Sequence, residues 1–250
     1  MAKEILARGI DVSYANGSID WTRMKRNIDS AIIRCGYGGD YQSQDDARWA
    51  QNVKGCEDNM IPYGVYLYSY ATTPEKARSE AAHTIRLIGD RRPQYPVFLD
   101  LEEDRIRQLG RSKILEIAKV YCEEIEKAGL SYGTYSNKNW FTNYLTDSWY
   151  DRHPKRLAQY NNVVTYDGTY DIWQYSSRGT FEGFSGYFDL NYAYTRFANY
   201  TVSDARAALR ASIGLEELSP GEEKRLDING DGKITAVDAR LILREATGLD

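Results

Sequence analysis

What most narrows the fold of this chain is a rhythm: a short apolar strand, a turn and an amphipathic helix, five times in succession, then three strand-like runs with no room for full helices between them. Gly9-Ile10-Asp11-Val12-Ser13 reads as a first strand, and Asp20-Trp21-Thr22 opens a capped helix. Ser30 to Tyr37 is a second strand that runs into Gly38-Gly39, with helical spacing from Asp45 to Asn59. Pro62 to Tyr70 is a third, followed by Thr73-Pro74-Glu75 and a helix to about Leu87. Pro96 to Glu102 is the fourth, and its helix, Ser112 to Ala128, stops at Gly129. Tyr132 to Asn137 is the fifth, leading into a short helical piece around Trp140 to Trp149. Arg156 to Tyr160, Tyr170 to Tyr175 and Tyr187 to Asn191 are the three bare strands. Repeated strand-helix order predicts an α/β fold with a parallel sheet and right-handed crossovers, and eight strands suffice to close a TIM-like barrel. By pattern alone a doubly wound open sheet has the same signature.

Within the fourth strand, alternation puts Phe98, Asp100 and Glu102 on one face and Val97, Leu99 and Leu101 on the other. Two carboxylates two residues apart along a strand have Cα atoms roughly 6.5 to 7 Å apart. Confined together they perturb each other's protonation, giving a proton donor beside an anion, which is what hydrolysis of a glycosidic bond requires. The alternative is a solvated acidic turn, since Glu103 and Asp104 follow directly. In a barrel of this kind the site lies at the C-terminal ends of the strands, and Asp11, Asp100, Glu102 and Asp189 all read at such ends. A mutually repelling cluster is costly to fold without a use for it.

Thirty-six acidic against 32 basic residues, with no basic stripe, argue against a nucleic-acid partner. Tyr outnumbers Phe 21 to 6, which favours surfaces that stack on sugars and hydrogen-bond at the ring edge. Cys35, Cys56 and Cys122 are odd in number and sit in apolar or helical segments, so they are expected to be free. No apolar run reaches membrane-spanning length and no charged-then-apolar leader precedes the first strand. The expectation is cytoplasmic synthesis with later release to the wall, or export with the leader already removed.

Taken in order, Gly9 to Ser13, Ile33-Arg34-Cys35-Gly36-Tyr37-Gly38, Tyr66-Leu67-Tyr68-Ser69-Tyr70, Phe98 to Glu102, Tyr135-Ser136-Asn137, Ala158-Gln159-Tyr160, Trp173-Gln174-Tyr175-Ser176 and Asp189-Leu190-Asn191 resemble the blocks of the family 25 glycoside hydrolases, the bacterial and phage N-acetylmuramidases. The resemblance implies a barrel with five strand-helix units and three further strands, and cleavage of the β-1,4 bond after N-acetylmuramic acid in peptidoglycan. It implies Glu102 as general acid and then base, Asp100 holding the substrate's 2-acetamido group as it attacks the anomeric carbon, and Asp11 and Asp189 orienting that pair. Tyr66, Tyr68, Tyr135, Gln159, Tyr160 and Gln174 are the implied sugar-contacting wall, and no metal is implied in the chemistry. A non-catalytic wall-binding barrel is one alternative, which would keep the aromatics without needing Asp100 and Glu102; a glycosidase subunit borne on a cohesin scaffold is the other, and differs only in what the C-terminal segment binds.

After Phe197-Ala198-Asn199-Tyr200 the aromatics give way to Ala, Leu, Arg and Glu, so a barrel over residues 1–198 and a second, small all-α domain over 199–250 are expected. Asp227, Asn229, Asp231, Lys233, Thr235 and Asp238 stand at loop positions 1, 3, 5, 7, 9 and 12, with Gly232 at 6 and Ile234 at 8, the layout of an EF-hand Ca²⁺ loop. Asp rather than Glu at position 12 resembles a dockerin, and Thr201 to Arg210 echoes Thr235 to Arg244 at an offset of 34 residues, 235 minus 201. Ala193 and Phe197 occupy the positions equivalent to Asp227 and Asp231, so one ion is expected. Ala236-Val237 replaces the Ser-Thr type pair with which dockerins grip a cohesin. The module's partner is therefore a cohesin-like protein, a wall component, its own barrel or a second copy.

Overall fold

A computed structural model describes residues 3–197, 200–218 and 220–247 of the 250. The expected domain boundary between residues 198 and 199 lies outside the described residues. Eight strands close a barrel in sequence order: β1 Ala7–Val12, β2 Ser30–Tyr37, β3 Tyr63–Tyr68, β4 Val97–Asp100, β5 Tyr132–Asn137, β6 Lys155–Ala158, β7 Ile172–Gly179 and β8 Phe188–Ala193. The helices are α1 Trp21–Met24, α2 Trp49–Asp58, α3 Pro74–Ile88, α4 Asp104–Arg107, α5 Arg111–Lys127 and α6 Lys138–Asn143, then α7 Val202–Ser212, α8 Pro220–Leu226 and α9 Ala236–Thr247.

The strands bury both faces, and two separate apolar clusters result. The larger lies between strands and helices and joins Val65, Val97 and Leu99 to Ala81, Ile114, Ile117 and Tyr121. On α5 the buried positions Ile114, Ile117, Ala118, Tyr121, Cys122 and Ile125 recur at three and four residues, one stripe of a helix. The smaller cluster fills the barrel with Ile32, Phe98, Tyr135, Ala158, Ile172 and Ala193. Cys35, Cys56 and Cys122 are buried and free. Among the described residues no helix is long and apolar enough to cross a membrane.

Two expectations need correction. The sheet is not wholly parallel, because β8 runs antiparallel to both β1 and β7. Only residues 180–187 separate β7 from β8, enough for a reversal but short of the dozen or more that a parallel crossover takes. Helix α2 begins at Trp49 rather than Asp45. Asp45 and Asp46 are held off helical geometry by side-chain bonds: Asp45 to His83 and Arg86, and Asp46 to Arg34 and the amides of Tyr14 and Arg48.

Helices α7 and α9 pack together around Ala205, Ala208, Leu226, Ala239 and Ile242. Each begins with the same device: Thr201 and Asp204 form a capping box on α7, and Thr235 donates its amide and hydroxyl to Asp238 on α9, at 2.9 and 2.8 Å. The sequence repeat is thus a structural one. This unit meets the barrel at the end where β2 and β3 begin: Lys25 Nζ is 2.9 Å from Glu222 Oε1, and Met60 joins the helical cluster.

Inside the barrel, Gly133 is needed for packing. A Cβ there would stand 2.6 Å from a Phe98 ring carbon and 2.7 Å from the Pro154 carbonyl oxygen. Gly133→Ala should therefore lower stability by about 1–3 kcal/mol, read as a reduced denaturant midpoint; an unchanged midpoint would show that the strands have room to give.

Candidate active site

The polar residues of the barrel gather at one mouth. Asp11 stands one residue from the end of β1, Asp100 ends β4, and Glu102 lies two residues beyond it. The path to Glu102 is pinned by β5: Leu101 N–H donates to the Tyr135 carbonyl at 3.0 Å, and the Leu101 carbonyl accepts from the Ser136 hydroxyl at 2.5 Å. Asp189 was expected at the C-terminal end of its strand; it lies near the N-terminal end of β8. The reversal of β8 brings it to the same mouth, directly opposite Asp11 in the pairing of the two strands.

The four carboxyl groups have different surroundings. Asp11 is buried and fully bonded, accepting from Arg156 Nη2 and Gln174 Nε2 (2.5 Å) on one oxygen and from Asn191 Nδ2 (2.8 Å) on the other. Asp100 is 3% exposed and its Oδ1 has no hydrogen-bond partner. Burial, and then the nearby Glu102, push its pKa well above the usual carboxylate range, against the pull of Arg34. Glu102 is only partly buried, and its pKa is raised by burial and then by Asp189. The pKa of Asp189 is raised by burial, with Arg156 opposing. Asp100 is thus held toward the protonated form, because the strand end buries it while Glu102 sits in the opening.

Of the expected wall, Tyr66, Tyr68, Tyr135, Tyr160 and Gln174 stand around these acids. Gln174 Oε1 accepts from the hydroxyls of Tyr135 (2.9 Å) and Tyr160 (3.0 Å). Tyr160 is 54% exposed, an open ring at the rim, and burial first, then Asp189 and Glu102, carry its pKa to about 12. The Tyr68 hydroxyl donates to Glu103 at 3.4 Å. Gln159 is the exception: its Nε2 donates to Thr165 Oγ1 at 2.9 Å and its Oε1 accepts from the Thr165 amide at 3.1 Å. It braces the loop after β6 instead of facing the opening, because that loop folds back over its side chain.

Arg156, Arg34 and Asn191 were not singled out from sequence, although all three lie in the quoted strands. The Arg156 guanidinium is 1% exposed, lies 4.3 Å from the Tyr135 ring centroid, and has its pKa brought down to about 9 by burial, with Asp189 and Tyr160 opposing. Arg34 is tied to Asp46 at 2.8 Å and lies over the Tyr14 ring. The available signal was alternation: Arg156 is two residues from Ala158, whose side chain faces the barrel interior.

In the C-terminal loop, Asp227 accepts from the amides of Asp231 and Gly232 at 3.0 and 2.8 Å, and Asp231 from that of Lys233 at 2.9 Å. Asp238 caps α9, as described. Gly230 and Gly232 have φ of 72° and 80°, which suits glycine. Among the described residues no group of three His, Cys, Asp or Glu is placed to hold a metal ion.

Residues 10–184 match the family model described as Glycosyl hydrolases family 25. The autolytic lysozyme of Clostridium acetobutylicum is 26% identical over 188 residues, covering 74% of this chain and 55% of that protein. The modular autolysin LytC from Streptococcus pneumoniae, solved in complex with a synthetic peptidoglycan ligand, is 26% identical with a TM-score of 0.66, covering 74% of this chain and 46% of that one. The chain thus spans about half the length of these two relatives. The bacterial lysozyme from Streptomyces coelicolor, 22% identical with a TM-score of 0.63 over 74% of this chain and 91% of that one, shares the fold.

Beside the mouth, Glu80 on α3 holds the loop after β3, accepting from Ser69 Oγ at 2.6 Å and from the Tyr70 amide at 2.7 Å. Burial outweighs these bonds and lifts its pKa to about 7. The folded chain then binds this proton more tightly than the unfolded chain. The associated stability is full below the unfolded value near 4.3 and is lost as pH rises through about 7. A Glu80→Gln variant, which mimics the protonated form, should remove a pH dependence on the order of 3 kcal/mol from urea-unfolding curves between pH 4.5 and 8. Parallel curves for the two proteins would rule out Glu80 as its source.

Proposed function

We propose, from the premise that this chain belongs to glycosyl hydrolases family 25, that it is a peptidoglycan hydrolase cutting the β-1,4 bond between N-acetylmuramic acid and N-acetylglucosamine in the bacterial wall, as an endolysin does. The observation that carries the reading is the convergence of Asp11, Asp100, Glu102 and Asp189 on one mouth, with burial holding both Asp100 and Glu102 toward protonation. The autolysin solved with a peptidoglycan ligand adds to it.

We take Asp100 and Glu102 to share one proton, since burial raises both and Glu102 raises Asp100 further. In the empty site the more deeply buried Asp100 favours the neutral form. A substrate 2-acetamido group whose N–H approaches Asp100 stabilises the Asp100 carboxylate, and the shared proton is then carried by Glu102. Glu102 gives it to the leaving oxygen while the acetamido oxygen attacks the anomeric carbon; Glu102 then takes a proton from the water that opens the resulting ring. Asp11, saturated by three donors, is a positioning group, and Asp189 holds up the Glu102 pKa. Tyr66, Tyr68, Tyr135 and Tyr160 supply stacking faces and hydroxyls for the sugar.

Borohydride labelling of digested peptidoglycan should find new muramic acid reducing ends; glucosamine ends, or none, would refute the assignment. Glu102→Gln should fold and lose several powers of ten in turnover, since an amide neither gives nor takes the proton. The alkaline limb of the pH-rate profile follows loss of the Glu102 proton, so it should lie above the ordinary Glu value of about 4.3. Asp189→Asn removes a charge that raises that pKa and should move this limb to lower pH; a move to higher pH would contradict the role given to Asp189.

For the C-terminal unit we infer a dockerin-like module that binds one Ca²⁺. The donor chemistry fits a hard cation, with oxygens throughout: side chains of Asp227, Asn229, Asp231 and Asp238, the Lys233 carbonyl, and Thr235 through a water. Bound there, the ion would neutralise acids that otherwise repel, in a unit with little core of its own. The ion is structural, and glycan cleavage needs none. Its contact with the barrel through Lys25 and Met60 favours docking on its own barrel over a cohesin-like partner. Calorimetric titration of the full chain with Ca²⁺ should give a stoichiometry near one that Asp227→Ala abolishes; two sites, or no heat, would overturn this reading.

A further inference from the structure

Gln174 has every polar atom of its amide engaged. Nε2 faces two carboxylates, Asp11 Oδ2 at 2.5 Å and Asp189 Oδ2 at 3.5 Å, while Oε1 accepts from the Tyr135 and Tyr160 hydroxyls. Turning the amide over would set its carbonyl against both anions, so chemistry fixes the orientation. Each tyrosine hydroxyl has one proton to give, and Oε1 takes both. What remains on each is lone pairs. Asp11 is itself steadied from below by Arg156, a buried cation whose Nε and Nη1 have no partner and whose guanidinium lies against the Tyr135 ring.

We propose that Arg156 is a positioning residue that fixes the hydrogen-bond polarity of the mouth. Through Asp11 and Gln174 it commits the protons of Tyr135 and Tyr160 inward, so that Tyr160, open at the rim, presents an acceptor to N–H or O–H donors of the sugar being cut. This rests on the mouth being the glycan-cleaving site. Without the cation, the buried Asp11 is driven to take up a proton and no longer dictates which side of the Gln174 amide it meets; the Tyr160 hydroxyl is then free to turn outward as a donor, and part of the sugar's recognition is lost.

The test is a double-mutant cycle. Arg156→Met, folded by circular dichroism, should lose about ten- to hundredfold in kcat/KM, with the larger part in KM, and Arg156→Lys should recover part of that loss. Tyr160→Phe should cost less in the Arg156→Met background than in the wild type, because the relay that gave Tyr160 its polarity is already broken. Additive losses, or wild-type kcat/KM in Arg156→Met, would overturn the proposal. Should Arg156→Met fail to fold, Arg156→Gln paired with Tyr160→Phe gives the same cycle, with the same two outcomes. If the wild-type chain released no reducing ends, the functional reading would fail on its own. The cycle would then be read from calorimetric binding of chitotetraose, where coupled losses support the relay and additive losses or no binding refute it.

Discussion

Carboxylates brought together and out of water repel one another and lose hydration, and the mouth of this barrel is stable because buried cations stand among them. Arg156 reaches Asp11 from the barrel interior, and Arg34, anchored on Asp46, acts on Asp100 from the β2 side. The distribution is uneven, and that unevenness makes the four acids different. Asp11, with a guanidinium and two amide donors, is fixed in place. Asp100, with an unpartnered oxygen, and Glu102, in the opening, are both held toward protonation.

Closure of the barrel by an antiparallel strand is the second condition. Had β8 run parallel, a residue near its start would lie at the opposite end from Asp11. Reversed, β8 sets Asp189 across from Asp11 and Asn191 within reach of it. Gln174 on the neighbouring β7 then bridges Asp11 and Asp189. The helical unit meets the barrel at the far end, around Lys25 and Met60, so it leaves the mouth uncovered.

Much of this was legible in the sequence. The strands announce themselves by aliphatic alternation, and Asp100 and Glu102 stand out because an aliphatic strand ends in acids. The direction of β8 was not legible from the strand itself, since Phe188 to Ala193 reads the same in either sense; only the short connection before it carries the information. Arg156 was hidden for a different reason. Lys155 and Arg156 are adjacent, both basic and both buried, Lys155 against Asp151 and Arg156 against Asp11, so charge does not separate them and only alternation with Ala158 marks Arg156 as the inward one. Gln159 was misplaced because its neighbour Tyr160 does reach the mouth, while the loop through Thr165 takes up the amide one residue earlier.

The central claim is that Glu102 and Asp100 cut the glycan with the substrate's own acetamido group as nucleophile. It is tested most directly by the anomeric configuration of the first product. Proton NMR of a peptidoglycan digest, recorded before the new reducing ends mutarotate, should show the muramic acid released as the β-anomer, since attack by the acetamido oxygen followed by water retains configuration. Initial release of the α-anomer would mean a single displacement by water, and would contradict the account.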